Sequence, residues 1–246
     1  CISSAASDVY KRQGLFMALE VIKNEAELSN DIREIFSEAG AVEIVQRRAH
    51  EYAEMMAYYR CALMEVETKF NVLNEEFSLQ YDRNPIEMVK TRLKSPASIR
   101  TKLERYGFDM SLDSIRKNIH DIAGVRVICS FINDVYILAD ALLKQDDITL
   151  ISKKDYIKNP NFNGYRSLHL DVEIPVYLSS KTEYARAEIQ LRTVAMDFWA
   201  SLEHDLRYKS TKNIPEDISR EMFNCADEIA AIDVRMQRIY KQIQKL

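Results

Sequence analysis

Strict alternation of apolar and polar side chains marks the stretch NFNGYRSLHLDVEIPVYL, residues 161 to 178. Every second residue from position 168 onward is apolar: Leu168, Leu170, Val172, Ile174, Val176 and Leu178. Because the side chains of a β-strand point alternately to its two faces, this pattern predicts a strand with one buried face. The open face would carry, directly after an Asn-Gly turn, Tyr165, Ser167, His169 and Asp171. The stretch therefore predicts a sheet whose polar face meets either solvent or a ligand.

A second stretch, EYARAEIQLRT at 183 to 193, divides its residues between two faces in the same way. Its polar face would carry Tyr184, Arg186, Glu188, Gln190 and Arg192. Antiparallel sheets often leave one face to water, so the pattern alone favours a solvated surface. The residue types favour a ligand, because Glu188 lies between two arginines and Asp121 precedes the apolar strand GVRVI. Such carboxylates suit a divalent cation and a phosphorylated ligand.

Helical periodicity marks the sequence before and after these strands. Apolar residues at steps of three and four predict a long helix over 45 to 77 and a second over 222 to 246. Packing within the chain explains each apolar seam at least as well as contact with another subunit. The sequence between them predicts helices near 97–106, 111–119, 133–144 and 195–209, and strands near 124–131 and 147–156. We therefore predict an α/β fold, a mixed β-sheet flanked by helices, with long N- and C-terminal helices.

Charge and cysteine content narrow the function classes. With a net charge of -4, the chain offers no global attraction to nucleic acid or membrane, so an anion site must be a local cluster. The four cysteines form no C-x-x-C pair, which indicates a reduced compartment. No apolar run approaches the length of a membrane helix, and the N-terminal stretch lacks the layout of a signal peptide. We expect a cytoplasmic protein with no membrane partner.

Two basic clusters accompany the carboxylates. Arg92 and Lys94 precede the helix start at Ser95-Pro96, and Ser98 and Lys102 lie one turn apart on that helix. Phosphate binds well at such a helix start, although a basic helix alone is more often a solvated face. A second basic edge holds Lys153, Lys154, Lys158 and Arg166. Together the clusters predict a site for two polyanions and a divalent metal.

Several of these residues also have ordinary structural explanations. Asp121 suits a helix cap or a loop, and Glu188 suits a cross-strand ion pair. Tyr165 and His169 could each simply pack against the sheet. The dipeptide His120-Asp121 imitates a metal-hydrolase motif, but no further ligand set accompanies it, so we interpret the dipeptide as a chance match.

Six ordered motifs resemble the synthetase domain of RelA/SpoT homologues: R-x-K-x-x-x-S-x-x-x-K at 92 to 102, HDIAGVRVICSF, KDYIKNP, NGYRSLHL, AEIQLRT and AMDFWASLEHDLRYK. The match spans roughly residues 45 to 210, and the chain is similar to a small alarmone synthetase. The resemblance implies a nucleotidyltransferase-like fold and homotetramers formed through terminal helices. It also implies a GTP diphosphokinase of the stringent response. Such an enzyme makes (p)ppGpp by moving the β,γ-pyrophosphate of ATP to the 3′-hydroxyl of GDP or GTP, and it releases AMP.

The resemblance further implies roles for individual residues. Those that would bind ATP are Arg92 and Arg126 around the adenine and Lys94, Ser98 and Lys102 at the phosphates. Those that would bind the acceptor nucleotide are Tyr165, Asn163, His169, Lys154, Lys158 and Arg166. Tyr165 would stack on the guanine, because an aromatic ring offers a base a flat partner. Asp121 and Glu188 would bind Mg²⁺, and Glu188, helped by Gln190, would take the proton of the attacking 3′-hydroxyl.

One position departs from the family pattern. Lys-Pro usually precedes N-G-Y-R-S-L-H, whereas Asn161-Phe162 stands here, and Lys158 would reach the acceptor phosphates from the preceding turn. Toxic relatives pyrophosphorylate the 3′ end of tRNA, and the missing lysine would suit that alternative, although the chain shows no broad basic surface. A third alternative is an inactive oligomer that binds nucleotides or single-stranded RNA.

The expected organisation has four parts. They are a disordered or non-native tail over 1–24, an N-terminal helical region over 25–84, a (p)ppGpp synthetase catalytic domain over 85–210, and a C-terminal helix over 211–246 that serves oligomerisation. Since no hydrolase domain precedes the catalytic motifs and no regulatory domain follows them, we expect synthesis of the alarmone without its degradation.

Overall fold

The structure is a computed structural model that describes residues 38–81, 83–209 and 214–245. Its elements are α1 (Glu38–Tyr81), β1 (Ile86–Leu93), α2 (Pro96–Tyr106), α3 (Leu112–Asn118), β2 (Ala123–Cys129), α4 (Ile132–Leu143), β3 (Thr149–Asp155), β4 (Leu168–Tyr177), β5 (Thr182–Thr193), α5 (Val194–Lys209) and α6 (Glu216–Ile243). The tail expected over 1–24 and the first part of the helical region expected over 25–84 lie outside the described residues. Within the described ranges, no helix has both the length and the apolar character that crossing a membrane requires.

The five strands form a mixed sheet in the order β1-β2-β5-β4-β3. β2 and β5 run parallel, and the other neighbouring pairs are antiparallel. A parallel pair needs a crossover connection, and α4 together with the β3–β4 hairpin supplies it here. The predicted α/β fold, a mixed sheet flanked by helices, is confirmed. Its parallel pair brings the start of β2 beside the middle of β5.

The core lies between the apolar face of the sheet and helices α1 and α4. The alternating apolar residues of β4 from Leu168 to Ile174 are fully buried, as the period of two predicts. The seam of α1 is buried from Tyr52 to Phe77 in the same core, so it packs within the chain. Burying one such large apolar side chain contributes about 1.5 to 3 kcal/mol, and this fixes which face of each strand turns inward.

The C-terminal half of the seam predicted on the last helix faces outward instead, whereas Ile229 packs against Trp199 and Ala226. α6 docks through a neighbouring stripe, where Ala226 and Asp233 are buried and Asp233 accepts a hydrogen bond from Thr193 Oγ1 at 2.6 Å. The seam residues Ile232, Met236, Ile239 and Ile243 are 41 to 60% exposed. A contiguous exposed apolar stripe is typical of a protein contact surface, and among the described residues this part of the seam is not covered by packing within the chain.

Strand β1 was not predicted from the sequence pattern. It forms an edge of the sheet where Ile86 is its single buried residue, and its charged side chains interrupt the period of two. β4 begins at Leu168, so Tyr165 and Ser167 precede the strand. The Ser167 hydroxyl is buried and donates to the Leu191 carbonyl at 3.2 Å, so Ser167 does not belong to the open polar face.

Replacement of Gly164 by alanine is expected to destabilise the fold by about 3 kcal/mol or more. Gly164 has φ of 87°, and an added Cβ would lie 2.6 Å from the Cβ of Ala226 on α6. Gly107 also has positive φ, but nothing lies within 4 Å of its added Cβ, so Gly107→Ala is the matched control, with a cost of about 1 to 2 kcal/mol. Urea denaturation measures both free energies of unfolding. Equal losses of unfolding free energy in the two variants would show that α6 does not pack closely against the turn at Gly164.

Candidate active site

A cleft of about 410 Å³ opens on the polar face of β1, β2 and β5. The residues that line it are Lys90, Thr91, Arg92, Lys94, Asp121, Gly124, Val125, Arg126, Glu188 and Gln190. Strand register explains the convergence, because Gly124 of β2 is paired with Arg92 on one side and Glu188 on the other. Glycine at this position leaves the floor of the cleft without a side chain. Six of the predicted site residues therefore share one cleft although they are up to 98 positions apart in sequence, from 92 to 190.

Asp121 is bound by two lysines of the predicted phosphate site. Lys94 Nζ lies 2.7 Å from Asp121 Oδ2, and Lys102 Nζ lies 2.9 Å from Asp121 Oδ1. Burial would raise the pKa of Asp121, but the hydrogen bonds and charges of the two lysines outweigh burial and lower it. Ser98 lies at the start of α2, where its backbone N–H and its hydroxyl both contact the capping Ser95 hydroxyl. An ionised carboxylate thus sits between two cations that could also bind phosphate.

Glu188 is the end of a connected set of hydrogen bonds on β4 and β5. Glu188 Oε2 accepts from Gln190 Nε2 at 2.9 Å, and Glu188 Oε1 lies 3.4 Å from His169 Nδ1. His169 Nε2 lies 2.8 Å from the Tyr165 hydroxyl. Arg192 closes the ring by donating to the Tyr165 hydroxyl at 2.6 Å and to Gln190 Oε1 at 2.7 Å. Gln190 and His169 thus each contact one oxygen of the Glu188 carboxylate, and Arg192 connects Gln190 with Tyr165.

This arrangement keeps Glu188 ionised. Burial would raise its pKa, but the hydrogen bond and charge of His169, followed by the hydrogen bond of Gln190, lower it below the usual value. A carboxylate that is ionised, half-buried and directed into a cleft is suited to accept a proton or to bind a cation. Glu188 therefore has the geometry that both predicted roles require.

Asp197 belongs to this site, and the sequence analysis missed it. It lies in the first turn of α5, where its Oδ1 is 3.2 Å from NH1 of Arg126 and 3.2 Å from NH1 of Arg192. Its Oδ2 is 3.7 Å from Lys90 Nζ. Acidic residues are common in the first turn of a helix, so the residue type of Asp197 did not indicate a functional role. The available signal was its place among the apolar residues of AMDFW, on the inner face of an amphipathic helix.

The predicted acceptor residues lie on β3, on the loop before β4 and at the start of β4. Asn163 shapes this loop, with its Oδ1 accepting from the Tyr165 N–H at 3.2 Å and its Nδ2 donating to Glu203 Oε1 at 3.1 Å. Lys154 of β3 is exposed and is paired in register with His169. Lys158 is exposed, 3.7 Å from Asp155 and 5.1 Å from the centre of the Tyr136 ring. The structure thus brings Tyr165 and His169 together, and it leaves Lys154 and Lys158 exposed to solvent.

Arg166 is directed away from the predicted acceptor site. Its guanidinium donates to the carbonyls of Gly164 at 3.0 Å and Ala226 at 3.3 Å, and to Asp227 Oδ1 at 2.8 Å. These partners tie the loop to α6. The geometry therefore supports a structural role for Arg166 rather than the predicted contact with the acceptor nucleotide.

His120 has a local partner on β5. Arg186 NH1 lies 3.1 Å from His120 Nδ1. Burial, and then the charge of Arg186, lower the pKa of His120, so the ring is neutral at neutral pH. Among residues 38–81, 83–209 and 214–245, no group of three or more His, Cys, Asp and Glu side chains is arranged to hold a metal ion.

Comparison with known proteins agrees with the motifs and with the fold. Residues 91–213 match the family model described as a region found in RelA / SpoT proteins. The chain is 43% identical over 193 residues to the GTP pyrophosphokinase YwaC of Bacillus subtilis (strain 168), which covers 78% of this chain and 92% of that protein.

Two solved structures from Bacillus subtilis have the same architecture. The small alarmone synthetase 2 is 43% identical, with a TM-score of 0.71 over 78% of this chain and 99% of that one. The small alarmone synthetase 1 bound to its product pppGpp is 34% identical, with a TM-score of 0.72 over 79% of this chain and 98% of that one.

Proposed function

The chain belongs to the RelA/SpoT family, and we propose that it is a GTP pyrophosphokinase that makes (p)ppGpp. It transfers the β,γ-pyrophosphate of ATP to the 3′-hydroxyl of GDP or GTP and releases AMP. The observation that carries this proposal is the position of Glu188. Its ionised carboxylate lies in a cleft between a basic wall, which suits ATP, and the Tyr165–His169 pair, which suits a second nucleotide.

The donor side of the cleft suits ATP. Arg92 and Arg126 line it from adjacent strands, and guanidinium planes stack well on both faces of a purine. Lys94 and Lys102 now neutralise Asp121, and Ser98 lies beside them at the start of α2. When ATP binds, its phosphates offer these lysines a stronger anionic partner. The two lysines then move from Asp121 to the phosphates, which leaves the oxygens of Asp121 free.

The donor atoms at the cleft fit Mg²⁺. Asp121 and Glu188 supply carboxylate oxygens, and Mg²⁺ is commonly held by one or two carboxylates together with water and substrate phosphates. A two-carboxylate set is therefore sufficient when a nucleotide completes it. When bound, Mg²⁺ would neutralise charge on the phosphoryl oxygens as AMP leaves.

On the acceptor side, Glu188 accepts the proton of the 3′-hydroxyl as this oxygen attacks the β-phosphorus of ATP. Gln190 and His169 hold the Glu188 carboxylate in place through its two oxygens. Tyr165 offers a flat surface to the guanine, and Asn163 holds the backbone of the loop that carries Tyr165. The exposed Lys154 and Lys158 suit the 5′-phosphates of the acceptor.

The cysteines bear on localisation. Cys61, Cys129 and Cys225 are free thiols, which supports a place in the cytoplasm.

An acceptor panel tests this function. Purified protein, Mg²⁺ and γ-labelled ATP are incubated separately with GDP, GTP, GMP and deacylated tRNA. We expect label on a guanine nucleotide. Label on tRNA alone would establish the alternative favoured by Asn161, and label on no acceptor would leave a nucleotide-binding or RNA-binding oligomer.

Asn161→Lys is expected to lower the KM for GDP by about fivefold, because an exposed charge pair contributes up to about 1 kcal/mol. The Asn161 side chain is exposed while its backbone closes the turn, so a lysine fits without burial. Asn159→Lys adds the same charge at another exposed position of this loop and serves as the control. Steady-state kinetics with GDP and with GMP measure the effect. An equal gain in both variants would show that position 161 does not face the acceptor phosphates.

The same protein is proposed to form homotetramers. Val194, Phe198, Leu202 and Leu206 recur every four residues on α5 and are 49 to 57% exposed, and the stripe on α6 adds a second apolar surface. A second copy of the chain is the partner that the family resemblance favours. Leu202→Glu is expected to convert the tetramer to smaller species in light scattering after gel filtration. Tyr177→Glu, at another exposed site, should leave the assembly unchanged.

A further inference from the structure

Asp197 holds together two guanidinium groups that would otherwise repel each other. Arg126 NH1 and Arg192 NH1 each lie 3.2 Å from the same oxygen, Asp197 Oδ1. Burial, and after it the nearby charge of Arg192, lower the pKa of Arg126, whereas Asp197 acts in the opposite direction. Asp197 and Arg192 are 8% and 4% exposed, so water screens this group of charges poorly.

The two arginines serve different parts of the proposed site. Arg126 lines the cleft on the side assigned to ATP. Arg192 reaches the acceptor side through other residues: its NH2 donates to the Tyr165 hydroxyl and to Gln190 Oε1, and its guanidinium carbon lies 4.9 Å from the centre of the Tyr165 ring. Gln190 in turn donates to Glu188. Asp197 Oδ1 therefore connects Arg126, on the side assigned to ATP, with Arg192, on the acceptor side. Through Gln190, Arg192 is also connected with Glu188, the proposed general base.

We propose that Asp197 is a positioning residue that couples the ATP site to the acceptor site through Arg126 and Arg192. This inference rests on the proposed function, because it assigns a nucleotide to each side. Loss of the Asp197 charge leaves two close cations, the half-buried Arg126 and the buried Arg192, without their shared anion. The two guanidinium groups then separate, so that Arg126 leaves its place on the donor wall and Arg192 releases Tyr165 and Gln190.

A purely structural ion pair makes a different prediction. If Asp197 only fastened α5 to the sheet, its replacement would lower stability and leave the affinity of the folded protein for both nucleotides unchanged. If Asp197 positioned Arg126 alone, only the affinity for ATP would fall. Binding of each nucleotide, measured separately, distinguishes these cases from coupling.

The test measures dissociation constants by calorimetry for α,β-methylene ATP and for GDP, each alone, together with the rate of pyrophosphate transfer. Asp197→Asn is expected to weaken both nucleotides by about tenfold or more, since charged hydrogen bonds are lost on both sides. Arg126→Lys should weaken only the ATP analogue, and Arg192→Lys only GDP. Asp205→Asn removes the same charge from an exposed position of α5 and should match the wild type.

If wild-type protein transfers pyrophosphate and Asp197→Asn weakens one nucleotide or neither, the coupling is wrong although the proposed function stands. If wild-type protein transfers nothing to any acceptor, the proposed function itself has failed. Should Asp197→Asn not fold, Asp197→Glu replaces it in the same test. The glutamate keeps the charge but displaces the shared oxygen, so both affinities should fall severalfold, and an unchanged affinity for either nucleotide would overturn the proposal.

Discussion

Glu188→Gln is expected to lower the rate of pyrophosphate transfer by at least about a thousandfold, in the range of general-base contributions with loss of a metal ligand added. The amide has nearly the shape of the carboxylate but cannot take the proton of the 3′-hydroxyl. It also brings a donor to a position where Gln190 and His169 already direct donors. Single-turnover kinetics with GDP measure the rate of transfer.

The control for this variant is Glu183→Gln. Glu183 lies at the far end of the same strand, is partly exposed, and pairs with Lys181 at 2.6 Å. It should transfer pyrophosphate at the wild-type rate. Calorimetry should find that Glu188→Gln still binds α,β-methylene ATP. A Glu188→Gln variant that keeps more than about a tenth of the wild-type rate would remove Glu188 from the role of general base.

Asp121→Asn is expected to lower the transfer rate by about a hundredfold and to raise the Mg²⁺ concentration needed for half-maximal rate. The neutral amide is a poor ligand for Mg²⁺. It also leaves Lys94 and Lys102 without the anion that orients them before ATP arrives. A Mg²⁺ titration of the rate at saturating ATP and GDP measures both effects.

The comparison variant for this position is Asp113→Asn. Asp113 is exposed in the first turn of α3, where 97% of its side chain is accessible. Its replacement should leave the Mg²⁺ titration unchanged. If Asp121→Asn and wild-type protein had the same Mg²⁺ dependence, Asp121 would be a partner of the two lysines and not a metal ligand.

Strands β4 and β5 could be predicted from the sequence because their alternation is strict and local. Each apolar residue of β4 that the period of two assigned to the core, from Leu168 to Val176, is buried. The burial of the α1 seam needed the structure, because the same heptad spacing serves a core helix and an oligomer contact. The opposite outcome for the C-terminal half of the α6 seam, which is exposed, follows from docking through Ala226 and Asp233 instead.

The residues that sequence analysis missed act through distant partners. Asp197 and Arg126 are 71 positions apart and meet because α5 follows directly from β5, the strand beside β2. No periodicity reports such a contact. Arg192 was placed on an open polar face, yet it is 4% exposed, since Tyr165, Gln190 and Asp197 surround its guanidinium. Arg166 was expected at the acceptor, but its hydrogen bonds to α6 depend on a tertiary contact that the motif NGYRSLHL does not contain.

The transfer of pyrophosphate as a unit is tested most directly by following the β-phosphate of ATP. Purified protein is incubated with Mg²⁺, GDP and ATP labelled at the β-position, and the products are separated by anion-exchange chromatography. We predict that the label moves to a guanine nucleotide carrying a 3′-diphosphate, with one unlabelled AMP released for each. Label that remains in ADP would mean that only the γ-phosphoryl group leaves ATP, and it would contradict pyrophosphate transfer.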